Sequence, residues 1–307
     1  MHNMKYILCI LLLIIPLYSL IVPHNNNNFY YEKIEYVNKI KEEPVVKLLD
    51  SNKIINLSIE DYIIGVVSCE MPASYELEAL KAQAIASRTY ALEKMNINNL
   101  YDLENSTNNQ CYHNNEILKN KWGNNYEKYY KKITKAVNET KGYYMTYNGK
   151  IIKAFYFSTS NGYTEDVKNV FGSNLEYLSS VESSWDKNNK NFEKTVSFNE
   201  IDFINKLKLS DIKVNKIEIL NRTKSNRVNE IMINNTIFKG TTFRKLLSIR
   251  STDFDIEKKD NIIYIKTRGY GHGVGLSQYG ANEMAKLGYD YDEILKYYYK
   301  NIDINNV

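Results

Sequence analysis

Three cysteines, four prolines and four histidines are few for a chain of 307 residues, and each shortage excludes something. Cys9 lies in an apolar run, which leaves Cys69 and Cys111: one bridge, or two free thiols, but no disulfide-stapled scaffold. Cys111-x-His113 is half of a zinc pattern, yet no second such pair exists, and Cys69 is the one other thiol outside the run. His2 and His24 lie at or beyond the ends of that run. Excess charge is also missing. A net charge of +4 gives no dense basic stripe, so nucleic acid is not an expected partner. A dinucleotide fingerprint is missing too. Gly269, Gly271, Gly273 and Gly275 mimic one, but both registers fail, at Val274 and at Leu276. No internal repeat stands out. The wealth of Asn, Ile, Lys and Tyr reads as AT-rich coding bias.

One long hydrophobic run is present, "ILCILLLIIPLYSLIV" at 7–22, behind Lys5. Its end, "LYSLIVPHN", lacks the small residues of a cleavage site. The expectation is an uncleaved anchor over 1–23 with Lys5 on the cytoplasmic side, a polar linker over 24–43, and the remainder outside the cell membrane. From Pro44, "VVKLL" and "KIINLS" around "DSN" predict a hairpin, and Ser58 with Asp61 predicts the cap of a helix ending near Cys69. Pro72 stops that helix. A longer Ala-rich helix is expected over about 75–95, with Arg88 inside an apolar stripe and Lys81 at its edge. A further helix is expected over about 126–140, then two strands around Asn148-Gly149 leading into the loop "STSNGYTED". Residues 195–260 read as an inserted β-rich part, whose "TTFRKLLSI" is a short helix capped by Thr241 or Thr242. The fold class is α+β: a mixed helical and strand domain over 44–302 with a smaller β-rich sub-domain, preceded by one transmembrane helix.

Glu70 stands out. It ends an apolar helix, directly before Met71-Pro72. A carboxyl in that setting is either a general acid and base tuned by desolvation and a nearby cation, or half of an ion pair with Arg88. The glycine-alternating stretch has two readings as well. It is a bare face that a polymer can approach, with His272 fixed beside it, or a tight strand crossing with a hydrogen-bonded His.

"EDYIIGVVSCEMPASYELEALKAQAIASRTYA", "FYFSTSNGYTED" and "GYGHGVGLSQYGANEMAKLGYDYDEILKYYY" together resemble the stage II sporulation protein D family, in the same order along the chain. The resemblance implies a membrane-anchored lytic transglycosylase that cuts peptidoglycan between N-acetylmuramic acid and N-acetylglucosamine during forespore engulfment. Glu70 is then the catalytic acid. Substrate contacts would come from Lys81, Arg88, Tyr156, Ser158, Ser160, Asn161 and Thr164, with His272 and Gln278 as further candidates. No cofactor is expected, although related proteins bind zinc near this chain's "NNQCYHNN", where Cys111 and His113 remain. The implied partners are peptide-stripped glycan strands, an amidase and a membrane protein of the engulfment complex. The alternative is a non-catalytic glycan-binding activator, since amidase enhancers share these motifs.

Overall fold

A computed structural model describes residues 43–95 and 100–306. The expected anchor, and all but the last residue of the expected linker, lie outside the described residues. Among the described residues no helix is long and apolar enough to cross a membrane. The architecture is α+β, with helices packed among several small sheets.

The N-terminal hairpin forms as its pattern predicts. Strand β1 (Val45–Asp50) pairs antiparallel with β2 (Lys53–Ser58), and Ser51 and Asn52 turn the chain at positive φ. Helix α1 (Ile59–Glu70) starts at Ser58, which accepts from the Asp61 amide and donates to the Asp61 carboxylate. It stops at Met71, whose extended backbone is the one a residue before proline prefers. Helix α2 (Leu77–Lys94) follows after a short turn. Its Ala79, Ala82, Ala84, Ala86 and Ala91 are all buried, so small side chains let neighbours approach on every side.

Strand β3 (Leu103–Glu104) lies parallel beside β1. Helix α3 (Asn115–Trp122), capped by Asn114, was not evident in the polar sequence around it. Helix α4 (Tyr126–Glu139) and β4 (Tyr143–Tyr147) lead to the Asn148-Gly149 turn and β5 (Lys150–Ile151). Both turn residues have positive φ, as a two-residue hairpin loop requires. The chain then leaves for β6 (Tyr156–Phe157), the polar loop, and α5 (Val167–Phe171).

The β-rich part comprises β7 (Glu193–Asn199), α6 (Glu200–Leu207), β8 (Ile217–Arg222), β9 (Val228–Ile233), β10 (Thr236–Lys239), α7 (Gly240–Leu247), β11 (Phe254–Lys259) and β12 (Ile262–Arg268). These form two three-stranded sheets around a core of their own, which includes Phe203, Phe243, Phe254 and Ile265. Helix α7 is not capped by Thr241 or Thr242. Its cap is Lys239, two residues before Thr241, and the helix starts at Gly240, which fits against the Val228 carbonyl where a Cβ has no room. The chain returns through β13 (Leu276–Ser277), parallel to β6, then α8 (Gln278–Lys286), α9 (Tyr291–Tyr298) and β14 (Asp303–Asn306), which pairs with β4. Ser277 caps α8 as expected.

The glycine stretch is not an extended bare face. Gly269, Gly271, Gly273 and Gly275 all have positive φ, and the Phe155, Thr159 and Ser160 backbone with the Phe157 and Arg227 side chains fill the space beside them. At Gly275 an added Cβ would fall on the Phe155 carbonyl. The tight-crossing reading of this segment therefore holds.

Arg88 is 1% exposed and takes Glu60, not Glu70, as its partner. Its Nε donates to Glu60 Oε1 at 3.0 Å, and a terminal nitrogen donates to Oε2 at 2.5 Å. The turn at Pro72 explains this. Arg88 is eleven residues into α2, about 16 Å from its start, which returns it to the first turn of α1 rather than the last. Removing one partner leaves a buried charge unpaired. Glu60→Ala is expected to cost about 3–5 kcal/mol in urea unfolding; a loss below about 1 kcal/mol would contradict this role for the pair.

Candidate active site

Helix α1 carries Glu70 in its last turn, half-buried. Glu70 Oε1 accepts from the Cys111 amide at 2.8 Å, and the Tyr156 hydroxyl donates to the same carboxylate. Tyr156 accepts from Gln110 Nε2 at 3.0 Å, and Gln110 Oε1 accepts from the Tyr62 hydroxyl at 3.0 Å. Tyr62, Gln110 and Tyr156 thus form a chain of donors, each pointing to the next and all ending at Glu70. Burial pushes the Glu70 carboxyl above its ordinary value, against the Cys111 amide, the Tyr156 hydroxyl and the Lys121 charge, which pull it down. Lys121 Nζ also holds the Ser68 carbonyl near the end of α1, at 3.1 Å.

Local sequence makes this arrangement possible. Gly65 sits in the middle of α1, where glycine costs about 1 kcal/mol relative to alanine. The loop explains it: the Tyr112 ring and the His113 carbonyl occupy the space a side chain would need, and the His113 amide donates to the Gly65 carbonyl at 3.2 Å. Cys69 and Cys111 are joined, with Cα atoms 5.7 Å apart. The bridge fastens the loop to the helix one residue before Glu70.

The zinc expectation gains a third donor here. Cys69, Cys111 and His113 offer ligand atoms within 4.8 Å of one another, and His113 Nδ1 is buried without a partner. Joined as a disulfide, the two sulfurs offer no thiolate. Reduced, the set has three donors, one short of a closed structural zinc site. The residues fit a metal only in the reduced state.

A cleft of about 800 Å³ opens beside Tyr156. One wall carries Asn108, Asn109, Phe155, Tyr156 and Phe171; the other is α7 and the segment after it, with Arg244, Lys245 and Arg250. Glu70 is not in the lining itself. Tyr156 and the turn preceding Gln110 connect the two. His272 is among the residues that line the cleft, packed against Phe155, Phe157 and Phe171. Its Nδ1 accepts from the Val274 amide at 3.0 Å, and its ring also hydrogen-bonds the Tyr156 carbonyl. Burial, with Arg244 and Arg227 nearby, pushes its pKa down to about 3, so it stays neutral and structural.

The remaining expected contacts divide. Ser158 is half-buried against Thr159. Arg88 belongs to Glu60, and Lys81 is paired with Glu78 at 2.8 Å and Glu139 at 2.7 Å. Ser160, Asn161, Thr164 and Gln278 are buried and satisfied inside the protein, so their polar atoms are not offered to a ligand. Ser160 bonds Asp186 and Ser183; Asn161 bonds the Ser225 carbonyl and Asp253; Thr164 holds the Val181 amide; Gln278 donates to Gln83. The loop's hydroxyls and amides lock the β-rich part to the rest. Gln110, Lys121, Tyr62 and the α7 cations were missed. The pointer to the first was its place directly before Cys111.

A single desolvated carboxyl, fed by phenol and amide donors and set beside an open cleft, is the layout of a general acid and base. The family model described as Stage II sporulation protein matches residues 50–147. The chain is 37% identical to stage II sporulation protein D of Bacillus subtilis (strain 168), over 97% of this chain and 94% of that protein. It is 37% identical to the protein of the same name in Bacillus amyloliquefaciens, over 97% and 93%. It is 30% identical to the amidase enhancer of Bacillus subtilis (strain 168), over 76% of this chain and 39% of that protein. The chain belongs to the stage II sporulation protein D family, whose name places it in sporulation.

The raised Glu70 carboxyl makes a stability prediction. The folded protein binds this proton more tightly than the unfolded chain does. Its contribution is therefore fully present below the unfolded value, about pH 4.3, and is lost as pH rises through the folded value. Glu70→Gln keeps the acceptor and removes the charge. The variant is expected to melt above wild type near about pH 7.5, with the gap closing toward about pH 4; a variant that melts lower at neutral pH would contradict the assignment of burial as the dominant influence.

Proposed function

We propose that this protein is a peptidoglycan lytic transglycosylase with Glu70 as its acid and base. The observation that carries the reading is the isolation of Glu70. Glu70 lies behind Tyr156 at the cleft, and among the described residues no Asp or Glu belongs to the cleft lining. A hydrolytic glycosidase ordinarily needs two carboxyl groups, one of them to activate water or attack the sugar. An intramolecular nucleophile removes that need.

Glu70 gives its proton to the glycosidic oxygen as the bond from C1 of N-acetylmuramic acid breaks. The carboxylate then takes the proton of the same sugar's 6-hydroxyl, whose oxygen closes on C1 to give the 1,6-anhydro end. Glu70 finishes protonated, ready for the next bond. Burial favours the acid form for the first step. The Tyr156 hydroxyl and Cys111 amide stabilise the carboxylate between the steps and fix its orientation. Cys69, Cys111 and His113, when reduced, would hold a zinc ion that ties the loop to the helix, as the disulfide does. Membrane anchoring through residues 1–23 and action during forespore engulfment, on peptide-stripped strands beside an amidase and a membrane partner, complete the reading.

The likeness to an amidase enhancer supports a second reading, a glycan-binding activator of a wall hydrolase. Products separate the two. Wild-type protein on peptide-free strands is expected to yield 1,6-anhydromuramic ends by mass spectrometry, and Glu70→Gln to lower the rate at least about 100-fold, the lower part of the range for general acid–base catalysis. Reducing ends would mean water as nucleophile. Strands bound and left whole by wild type would favour the activator.

A further inference from the structure

The cleft residues absorbed by this mechanism sit on one wall. The opposite wall, from the β-rich part, is cationic. Arg244 and Lys245 come from α7 and Arg250 from the segment after it, and no Asp or Glu lies among the residues that line the space. Neither arginine has a carboxylate partner among the described residues. Arg244 spends its Nε on the Arg250 carbonyl at 3.2 Å, and among the described residues its two terminal nitrogens have no protein acceptor. Arg250 reaches one acceptor, the Asn191 carbonyl, at 3.5 Å, and lies 5.2 Å over the Tyr270 ring.

Elsewhere this protein pairs its arginines. Arg88 has Glu60, Arg268 has Asp253 and Asp255, and Arg222 has the same two aspartates. The cleft arginines are the exception, and they are held in place. The Gly271 amide donates to the same Arg250 carbonyl at 3.0 Å, which ties the cationic segment to the glycine crossing. Two fixed guanidinium groups without a counter-charge, facing aromatic rings and side-chain amides, are suited to a sugar that bears a carboxylate.

We infer that Arg244 and Arg250, with Lys245 at the rim, form an anion subsite that recognises the free lactyl carboxylate of a muramic acid residue. The inference rests on the glycan reading above and adds to it the residues that select the strand. A stem peptide converts that carboxylate to an amide, which removes the charge and adds bulk against α7. Selection is then made by the β-rich part, while cleavage is made by α1. Arg244 and Arg250 are specificity residues and take no part in proton transfer. Desolvation weighs on the Arg244 charge, and a bound carboxylate offsets it.

The test is a binding cycle on the full chain carrying Glu70→Gln, so that strands stay whole. The two probes are peptide-free strands and the same strands with their carboxylates amidated by a small neutral amine. The parent is expected to prefer the carboxylate form by about 10-fold. Arg244→Gln and Arg250→Gln should each bring that preference below about threefold while leaving affinity for amidated strands unchanged, with melting curves as the check on folding. Two readouts stand apart from these variants. Lys245→Gln, at an exposed position, should weaken the preference alone, and the parent's preference should shrink as salt rises. A preference that survives the substitutions and salt, or a parent that binds both strands equally, overturns the subsite and leaves the glycan reading standing. A parent that binds neither strand overturns both.

Discussion

The candidate site depends on one junction, where the loop through Cys111 meets the end of α1. Three features make it: the Cys69–Cys111 bridge, the Cys111 amide on Glu70, and the missing side chain at Gly65. The bridge closes 42 residues of chain, worth about 4 kcal/mol in a chain-entropy account. Its positional effect matters more. With the loop docked, Gln110 reaches Tyr156 and Tyr62, and the donor chain ends on a carboxyl that burial would otherwise simply neutralise. Zinc on the reduced thiols and His113 would serve the same junction.

A second set of contacts fixes the opposite wall. Asn161 bonds both Ser225 and Asp253, and Glu165 accepts from Thr223 and Ser225 beside the buried Arg227. The Glu165 amide in turn holds the Gly273 carbonyl at 2.6 Å. The "STSNGYTED" loop is therefore a clasp between the two cores, and the glycine stretch is the crossing on which it closes. The proposed labour divides accordingly: α1 and its loop hold Glu70, and the β-rich part carries the cleft cations Arg244, Lys245 and Arg250.

Much of the local structure was legible. The Asn-Gly turn, the Ser58 and Ser277 caps and the break at Pro72 are short-range consequences of side-chain chemistry, and each formed where its residues stand. Glu70 was legible because a carboxyl at the end of an apolar helix needs an explanation. Its partners were not. Cys111, Gln110 and Tyr156 lie 41, 40 and 86 residues away, and periodicity carries no information across such distances. Arg88 shows the same limit: its need for an acceptor followed from the apolar stripe, but the choice of Glu60 followed from the length of α2. Ser160, Asn161 and Thr164 misled for the opposite reason. Polar side chains suited to sugars are equally suited to buried backbone, and burial decided their use.

The most direct measurement is a crystal structure of Glu70→Gln with a peptide-free muramyl oligosaccharide bound. The account predicts the glycosidic oxygen within hydrogen-bonding distance of the residue 70 amide, the muramic 6-hydroxyl on the same side, and a lactyl carboxylate against Arg244 and Arg250. A strand bound elsewhere, or bound in the cleft with residue 70 out of reach of every glycosidic oxygen, would contradict it.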